Sequence, residues 1–312
     1  MENHIVAVDR ISHRYAVQWA VKDISFEISH PGVTGLLGSN GAGKSTVMNI
    51  ICGVLTPTSG SVSVCGVDMA AHPVEAKKNI GFLPQRPPLY GDLTVDEYLS
   101  YAASLRGLSG REVPSAVAEA EDRCGLTHFR RRLIRNLSGG YQQRVGIAQA
   151  IVHNPKFVVM DEPTNGLDPN QVLEVRKLVN DIAADRSVLV STHILSEVQA
   201  SCSRIIMIEH GGVVFDGSID DFDNYIEPDT FIVSMSHAPS DEEMVSVEGV
   251  SKAEQISEGG DSFRLWFDGD RQTMARFVDE SVEKGWGLYE ISLEHSSMND
   301  IFARLSQGRN AR

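Results

Sequence analysis

Nowhere in the 312 residues do eighteen apolar residues follow one another, so no segment offers a membrane-spanning helix. The N-terminus, MENHIVAVDR, lacks the basic start and apolar run of a secretion signal. The four cysteines, Cys52, Cys65, Cys124 and Cys202, stand far apart with no C-x-x-C pair. That spacing supports neither a zinc site nor a disulfide framework, and buried free thiols are the expectation. No stretch concentrates Lys and Arg, and the formal net charge is -14, so a nucleic-acid partner is not expected. These absences lead to the expectation of a soluble, cytoplasmic chain whose membrane role, if any, comes through a partner.

What is present is an ordinary globular composition, 42% hydrophobic and 22% charged, in a chain long enough for one large domain and one small one. Negative charge gathers toward the end: from Glu227 onward there are 17 acidic against 8 basic residues, leaving 25 against 20 before it. Domains 1–226 and 227–312 are expected from that shift, the second small and acidic.

Early apolar runs read as strands: IVAVDRI, VKDISFEI with period-two alternation, and VTGLLG leading into a glycine-rich loop. Ser45 to Leu55 has helical spacing, and SVSVCGV reads as one more strand. From Asp92 to about Arg135, helical faces carrying Leu99, Ala103 and Leu108, then Val113, Val117, Ala120 and Cys124, mark a helical insertion over about 88–137. KFVVMDEP and SVLVSTH are apolar on both faces and are separated by the amphipathic VLEVRKLVNDIA. This predicts an α/β fold with a mainly parallel sheet covered on both sides. RIIMIEHGGVVFDG reads as a hairpin turning at Gly211-Gly212. Beyond Pro228 the predicted order is strand FIVSMS, helix SDEEMVSV, strands VSKAEQI and SFRLWF, helix TMARFVDESVEKG and strand WGLYEISL. That β-α-β-β-α-β order is ferredoxin-like, and a last helix is expected over Met298 to Leu305.

The chemistry begins at Gly38-Ser39-Asn40-Gly41-Ala42-Gly43-Lys44-Ser45-Thr46, a P-loop pattern between a strand and a helix. Glycines let the backbone wrap a phosphate with several N–H groups pointing inward, and the helix N-terminus adds positive potential. Lys44 brings a charge to the β and γ oxygens, and the Ser45 hydroxyl would ligate Mg2+. A P-loop binds nucleotide but does not by itself hydrolyse it. Phe157-Val158-Val159-Met160-Asp161-Glu162 supplies the rest: an apolar strand ending in Asp161 sets one carboxylate beside Mg2+, and Glu162 is next in line to polarise a water. A solvated strand end is the plain alternative.

Between them, Leu137-Ser138-Gly139-Gly140-Tyr141-Gln142-Gln143-Arg144 opens a helical segment and resembles the signature motif of the ATP-binding cassette (ABC) ATPases. The resemblance spans roughly Ile5 to Gly217 and implies a P-loop NTPase cassette with a parallel core sheet, an antiparallel β subdomain and a helical insertion, followed here by a small α+β domain. It implies that Ser138, Gly139 and Gly140 grip the γ-phosphate held by the P-loop of a second cassette, so that two copies, or this chain and a related cassette, work head to tail on two ATP. The usual Gln is replaced by Tyr141. By the same resemblance Tyr15 stacks on adenine, Gln85 touches Mg2+ and the water, Asp168 in Gly166-Leu167-Asp168-Pro169 faces the dimer interface, and His193 contacts the γ-phosphate and steadies Glu162. Read singly, Tyr15 is equally a half-buried strand aromatic, Gln85 a turn residue, Asp168 an Asx-turn and His193 a capping or core histidine. LTVDEYLSYAASLRGL and SSMNDIFARL are similar to cassettes of drug-, antibiotic- and sodium-extruding exporters. The implied activity is ATP hydrolysis driving a separate integral membrane permease, on the inner face of the membrane; a non-transport ABC ATPase, or one energising an envelope or motility complex, is the alternative.

Overall fold

The computed structural model describes residues 4–256, 261–294 and 296–307. It divides into two compact units, Met1–Ile219 and Asp220–Arg312. The elements of the first, in chain order, are β1 (Val6–Tyr15), β2 (Gln18–Ile28), β3 (Gly32–Leu37), α1 (Lys44–Ile51), β4 (Ser59–Val64), β5 (Val67–Asp68), α2 (Pro73–Lys78), β6 (Ile80–Leu83), α3 (Val95–Leu105), α4 (Val113–Arg123), α5 (Gly139–Ile151), β7 (Phe157–Asp161), α6 (Pro169–Ala183), β8 (Ser187–Thr192), α7 (Leu195–Ser201), β9 (Arg204–Glu209) and β10 (Gly212–Ser218). The second holds α8 (Ile219–Asp223, which begins at the boundary), β11 (Thr230–Met235), α9 (Asp241–Val245), β12 (Val250–Gln255), β13 (Ser262–Phe267), α10 (Arg271–Glu283), β14 (Leu288–Glu294) and α11 (Met298–Gln307).

The core sheet runs β10-β9-β3-β8-β7-β6, parallel except for β10. Its strands are apolar because both faces are covered: every residue of β7 is buried, and in β8 only Val190 is partly exposed. Fully burying side chains such as Phe157 and Leu36 stabilises the unit by about 1.5–3 kcal/mol each. A second sheet, β2-β1-β4-β5, is antiparallel and alternates, with Val62 and Val64 turned in and Ser61 and Ser63 less so. The helical insertion packs α3 and α4 on α5 through Leu99, Ala103, Val117, Ala120 and Cys124. A capping box starts α3, with Thr94 N–H donating to Glu97 (2.8 Å) and Glu97 N–H to the Thr94 hydroxyl (3.3 Å).

The parallel order positions the site. Leu37 lies beside Thr192, Asp161 beside Ser191 and Leu83 beside Met160. The chain therefore leaves β3, β8, β7 and β6 at one carboxyl edge, where α/β folds bind ligands.

The second unit is an antiparallel sheet ordered β12-β13-β11-β14. Each helix-linked pair, β11 with β12 and β13 with β14, has one strand between its members, which is the split β-α-β arrangement of the ferredoxin-like pattern. One face carries Phe231, Val233, Phe263, Leu265 and Phe267 against Phe277 of α10. Edge-on rings at 5.5 and 5.6 Å tie Phe231 to Phe267 and Phe277.

Several expectations are corrected locally. The hairpin of β9 and β10 turns at His210-Gly211, one residue before Gly211-Gly212: Glu209 pairs with Gly212, and the turn residues have φ 49° and 76°. SVSVCGV is not one strand, because Cys65 (φ 51°) and Gly66 (φ 78°) form the turn between β4 and β5. The alternation in β2 breaks at Asp23 (φ 55°), where a register shift puts Val21 and Ile24 on the same buried face. Helix α1 stops at Ile51 rather than Leu55. Of the thiols, Cys52 and Cys124 are buried, but Cys65 is exposed in its turn and Cys202 is partly so.

Candidate nucleotide site

The P-loop joins β3 to α1, and its glycines are needed where the chain passes close to its neighbours. A Cβ on Gly38 would lie 2.2 Å from the Ile208 carbonyl oxygen, and one on Gly43 (φ 113°) 2.5 Å from the Val21 side chain. The loop is braced from outside itself. The buried Glu209 carboxylate accepts from the Ser39 N–H (2.7 Å) and the Ser39 hydroxyl (2.8 Å). Gly211 N–H donates to the Ala42 carbonyl (3.1 Å), while the Gly211 carbonyl accepts from Lys22 N–H (2.8 Å). Lys44 is buried, and its ammonium donates to the Gly38 (2.8 Å) and Ser39 (3.0 Å) carbonyls. Burial pushes the Lys44 pKa below its ordinary value, against the pull of Glu162, Asp161 and Glu209. Ser45 is exposed and Thr46 half-buried in the first turn of α1, while Asn40 and Gly41 are exposed at the tip of the loop.

At the end of β7 the two carboxylates diverge. Asp161 is buried and accepts from the Ser191 hydroxyl. Glu162 takes a left-handed backbone (φ 47°), an uncommon conformation for a residue with a side chain. Its N–H donates to the Ser191 hydroxyl (3.0 Å) and carbonyl (3.2 Å). Its carboxylate is shared by three partners: Gln85 donates to Oε2 at 2.6 Å, Asn165 to the same oxygen at 3.1 Å, and His193 Nδ1 lies 2.9 Å from Oε1. Residues from the ends of β6, β7 and β8 thus meet on one carboxylate. Gln85 and His193 each place a side-chain nitrogen on the Glu162 carboxylate.

The signature residues start α5. Ser138 stands at its N-cap position, exposed, with its hydroxyl making no capping bond, while Gly139 is exposed beside it. Gly140 is buried where a Cβ would meet the Gln171 side chain at 2.6 Å. Tyr141 packs its ring 4.4 Å from that of Phe129 and under the Arg144 guanidinium. Asp168 caps α6 in the Asx manner, accepting from Asn170 (3.1 Å) and Gln171 (3.0 Å) N–H groups. Tyr15 ends β1 with 51% of its surface exposed, which fits a half-buried strand aromatic and leaves one side of its ring open. Sequence reasoning missed Glu209, Asn165 and Ser191 as parts of the site. Asn165 was within reach, three residues after Glu162 in one turn; Glu209 lies 170 positions from the serine it holds.

A phosphate-wrapping loop with a buried lysine, beside a strand-end carboxylate pair on a parallel sheet, defines a P-loop nucleotide-hydrolysing cassette. A family model described as ABC transporter matches residues 21–165. Among relatives, the ABC transporter ATP-binding protein NatA of Bacillus subtilis is 35% identical over 68% of this chain and 87% of its own length. The linearmycin resistance ATP-binding protein LnrL of Bacillus subtilis is 35% identical over 73% and 74%, and the bacitracin transport ATP-binding protein BcrA of Bacillus licheniformis 32% over 69% and 68%. A solved ATP-binding subunit of an ABC transporter is 30% identical, with TM-score 0.64, over 71% of this chain and 92% of that one. A dimeric cassette in a post-hydrolysis state with ADP and Pi is 26% identical, with TM-score 0.62, over 69% and 98%. The chain belongs to the ABC transporter family, as one of its ATP-binding, ATP-hydrolysing subunits.

Proposed function

We propose that this subunit hydrolyses Mg-ATP at the interface of a head-to-tail dimer and drives an integral membrane permease, in the direction of export. The observation that carries the hydrolytic reading is the Glu162 carboxylate held between Gln85 and His193 at the end of β7. Glu162 orients the attacking water and takes its proton, while Gln85 and His193 fix the carboxylate. Lys44 and the P-loop N–H groups hold the β- and γ-phosphates, and Tyr15 supplies a face for the base. The donor set suits Mg2+, a hard cation that prefers oxygen. The Ser45 hydroxyl is at the head of α1, and Asp161 offers the oxygen that Ser191 does not use. Gln85 spends its NH2 on Glu162, which leaves its carbonyl oxygen for the metal. Bound Mg2+ neutralises charge on the β- and γ-phosphates.

The exposed Ser138 hydroxyl and the Gly139 amide at the start of α5 suit the γ-phosphate of a second cassette. The dimeric similar structure with ADP and Pi supports that assembly. Export is supported by the similarity to subunits named for linearmycin resistance and bacitracin transport. Among the described residues no helix is long and apolar enough to cross a membrane, in keeping with a separate permease and a site on the cytoplasmic side.

The test is steady-state ATP hydrolysis across protein concentration, with Glu162→Gln as the control. Specific activity that rises with concentration and vanishes in Glu162→Gln, which still binds ATP, supports the dimeric reading. Normal turnover in that variant would sink the assignment of Glu162 as the base.

A further inference from the structure

We infer that Glu197, on α7 and outside the nucleotide site, is a positioning residue that locks the two segments flanking the Glu162 carboxylate into one unit. Its carboxylate bridges them: Oε1 accepts from the Thr164 hydroxyl at 2.6 Å and Oε2 from the Thr192 hydroxyl at 2.7 Å. Thr164 directly precedes Asn165, which donates to Glu162 Oε2. Thr192 directly precedes His193, whose Nδ1 meets Glu162 Oε1. The same two segments are therefore bridged twice, once by each glutamate.

The bridge is built at both ends. Thr192 is buried at the end of β8, and its hydroxyl, while donating to Glu197, also accepts from Ile194 N–H at 3.0 Å. That hydrogen bond fixes the backbone on the far side of His193. Glu197 N–H donates to the Ile194 carbonyl at 3.1 Å, which starts α7 and aims the carboxylate back at Thr192. On the other segment the Thr164 carbonyl accepts from Leu167 N–H at 3.3 Å, so a shift of Thr164 carries the turn leading to Asp168 with it. Both Glu197 oxygens accept from neutral hydroxyls, and such bonds to a carboxylate are short and strong. The outcome is that His193 and Asn165 reach Glu162 at a fixed separation. Pre-set geometry of this kind governs the rate of a proton transfer more than the binding of substrate.

This inference rests on Glu162 acting as the base, and the experiment separates the two. Turnover, KM for ATP, nucleotide affinity and melting temperature are measured for Glu197→Ala, Glu197→Gln, Thr164→Val, Glu162→Gln, His193→Ala and the double variant Glu197→Ala with His193→Ala. Glu197→Ala is expected to lower kcat by about 10-fold or more with KM within about twofold. Its effect is expected to shrink in the His193→Ala background, since both then act on one contact. Glu197→Gln, whose amide offers one acceptor and one donor to two hydroxyls, recovers most of the turnover. Thr164→Val, which keeps the shape and loses one bond, gives a partial loss even where Glu197→Ala fails to fold. Wild-type kcat in a folded Glu197→Ala or Thr164→Val overturns the inference, as does a loss of kcat that is fully additive with His193→Ala. Turnover retained in Glu162→Gln overturns the assignment of the base instead, whatever Glu197 does.

Discussion

Gln85 donates a 2.6 Å hydrogen bond to Glu162 from 77 positions away in the chain. The bond crosses from the end of β6 to the end of β7, strands that pair in parallel. It makes the orientation of the Glu162 carboxylate depend on the start of the helical insertion. Gln85→Ala is expected to lower kcat on the order of 10- to 100-fold, the usual scale for losing a group that orients a reacting one. Nucleotide affinity without Mg2+ should change little, because no P-loop contact is removed; parallel turnover and nucleotide titration in EDTA check this.

The P-loop should respond to a residue outside its own motif. Glu209 accepts two hydrogen bonds from Ser39, and its loss removes both at a part-buried place, which costs about 1–3 kcal/mol. Glu209→Ala is expected to weaken nucleotide binding by roughly 5- to 100-fold, with the site carboxylates intact. A nucleotide titration by fluorescence or calorimetry reads this directly.

His153 gives the first unit an acid-sensitive point. Its Nε2 lies 3.0 Å from the Ile80 carbonyl and its Nδ1 is buried without a partner. Burial, helped by the charge of Arg106, pushes its pKa down to about 4. An unfolded chain binds this proton near pH 6.5, so the folded state resists protonation. Stability from this group is fully present above about pH 6.5 and is lost as pH falls toward 4, by about 2–3 kcal/mol. Denaturant unfolding at about pH 7 and pH 4.5 should show that drop in the wild type, and a smaller one in His153→Gln, whose amide can still donate to Ile80.

Phe277 is fully buried between Phe231 and Trp286, at ring separations of 5.6 and 5.4 Å. Phe277→Ala is expected to cost about 3–5 kcal/mol of packing. Because the residue belongs to the compact unit Asp220–Arg312, the loss should appear in a transition of that unit while ATP affinity is kept. Calorimetry with and without nucleotide separates the two, since bound nucleotide raises only the transition of the unit that holds it.

The parts of the site that were legible in the sequence are contiguous ones. Gly38 to Thr46 and Phe157 to Glu162 carry their chemistry in adjacent positions, and the apolar strand before each fixes where it sits. Braces such as Glu209 on Ser39 and Ser191 on Asp161 arise only when distant strands lie side by side, so no local pattern announces them. The same limit explains the misread turns. His210, Gly211 and Gly212 are all plausible turn residues, and the register of Glu209 with Gly212 decides among them. At Asp23 the backbone adopts the left-handed region to insert a bulge, its N–H meeting the Ser12 hydroxyl at 2.9 Å, a partner eleven positions away.

Gly211 carries one further implication. Through its N–H it holds Ala42 of the P-loop, and through its carbonyl it holds Lys22 of β2, the strand whose Gln18 pairs with Tyr15. The P-loop and the strand that pairs with Tyr15 are thus tied through a single residue. With Tyr15 stacking on the base as proposed, ring contact and phosphate contact share one strap, so a substitution that displaces Gly211 is expected to disturb both ends of the bound nucleotide together.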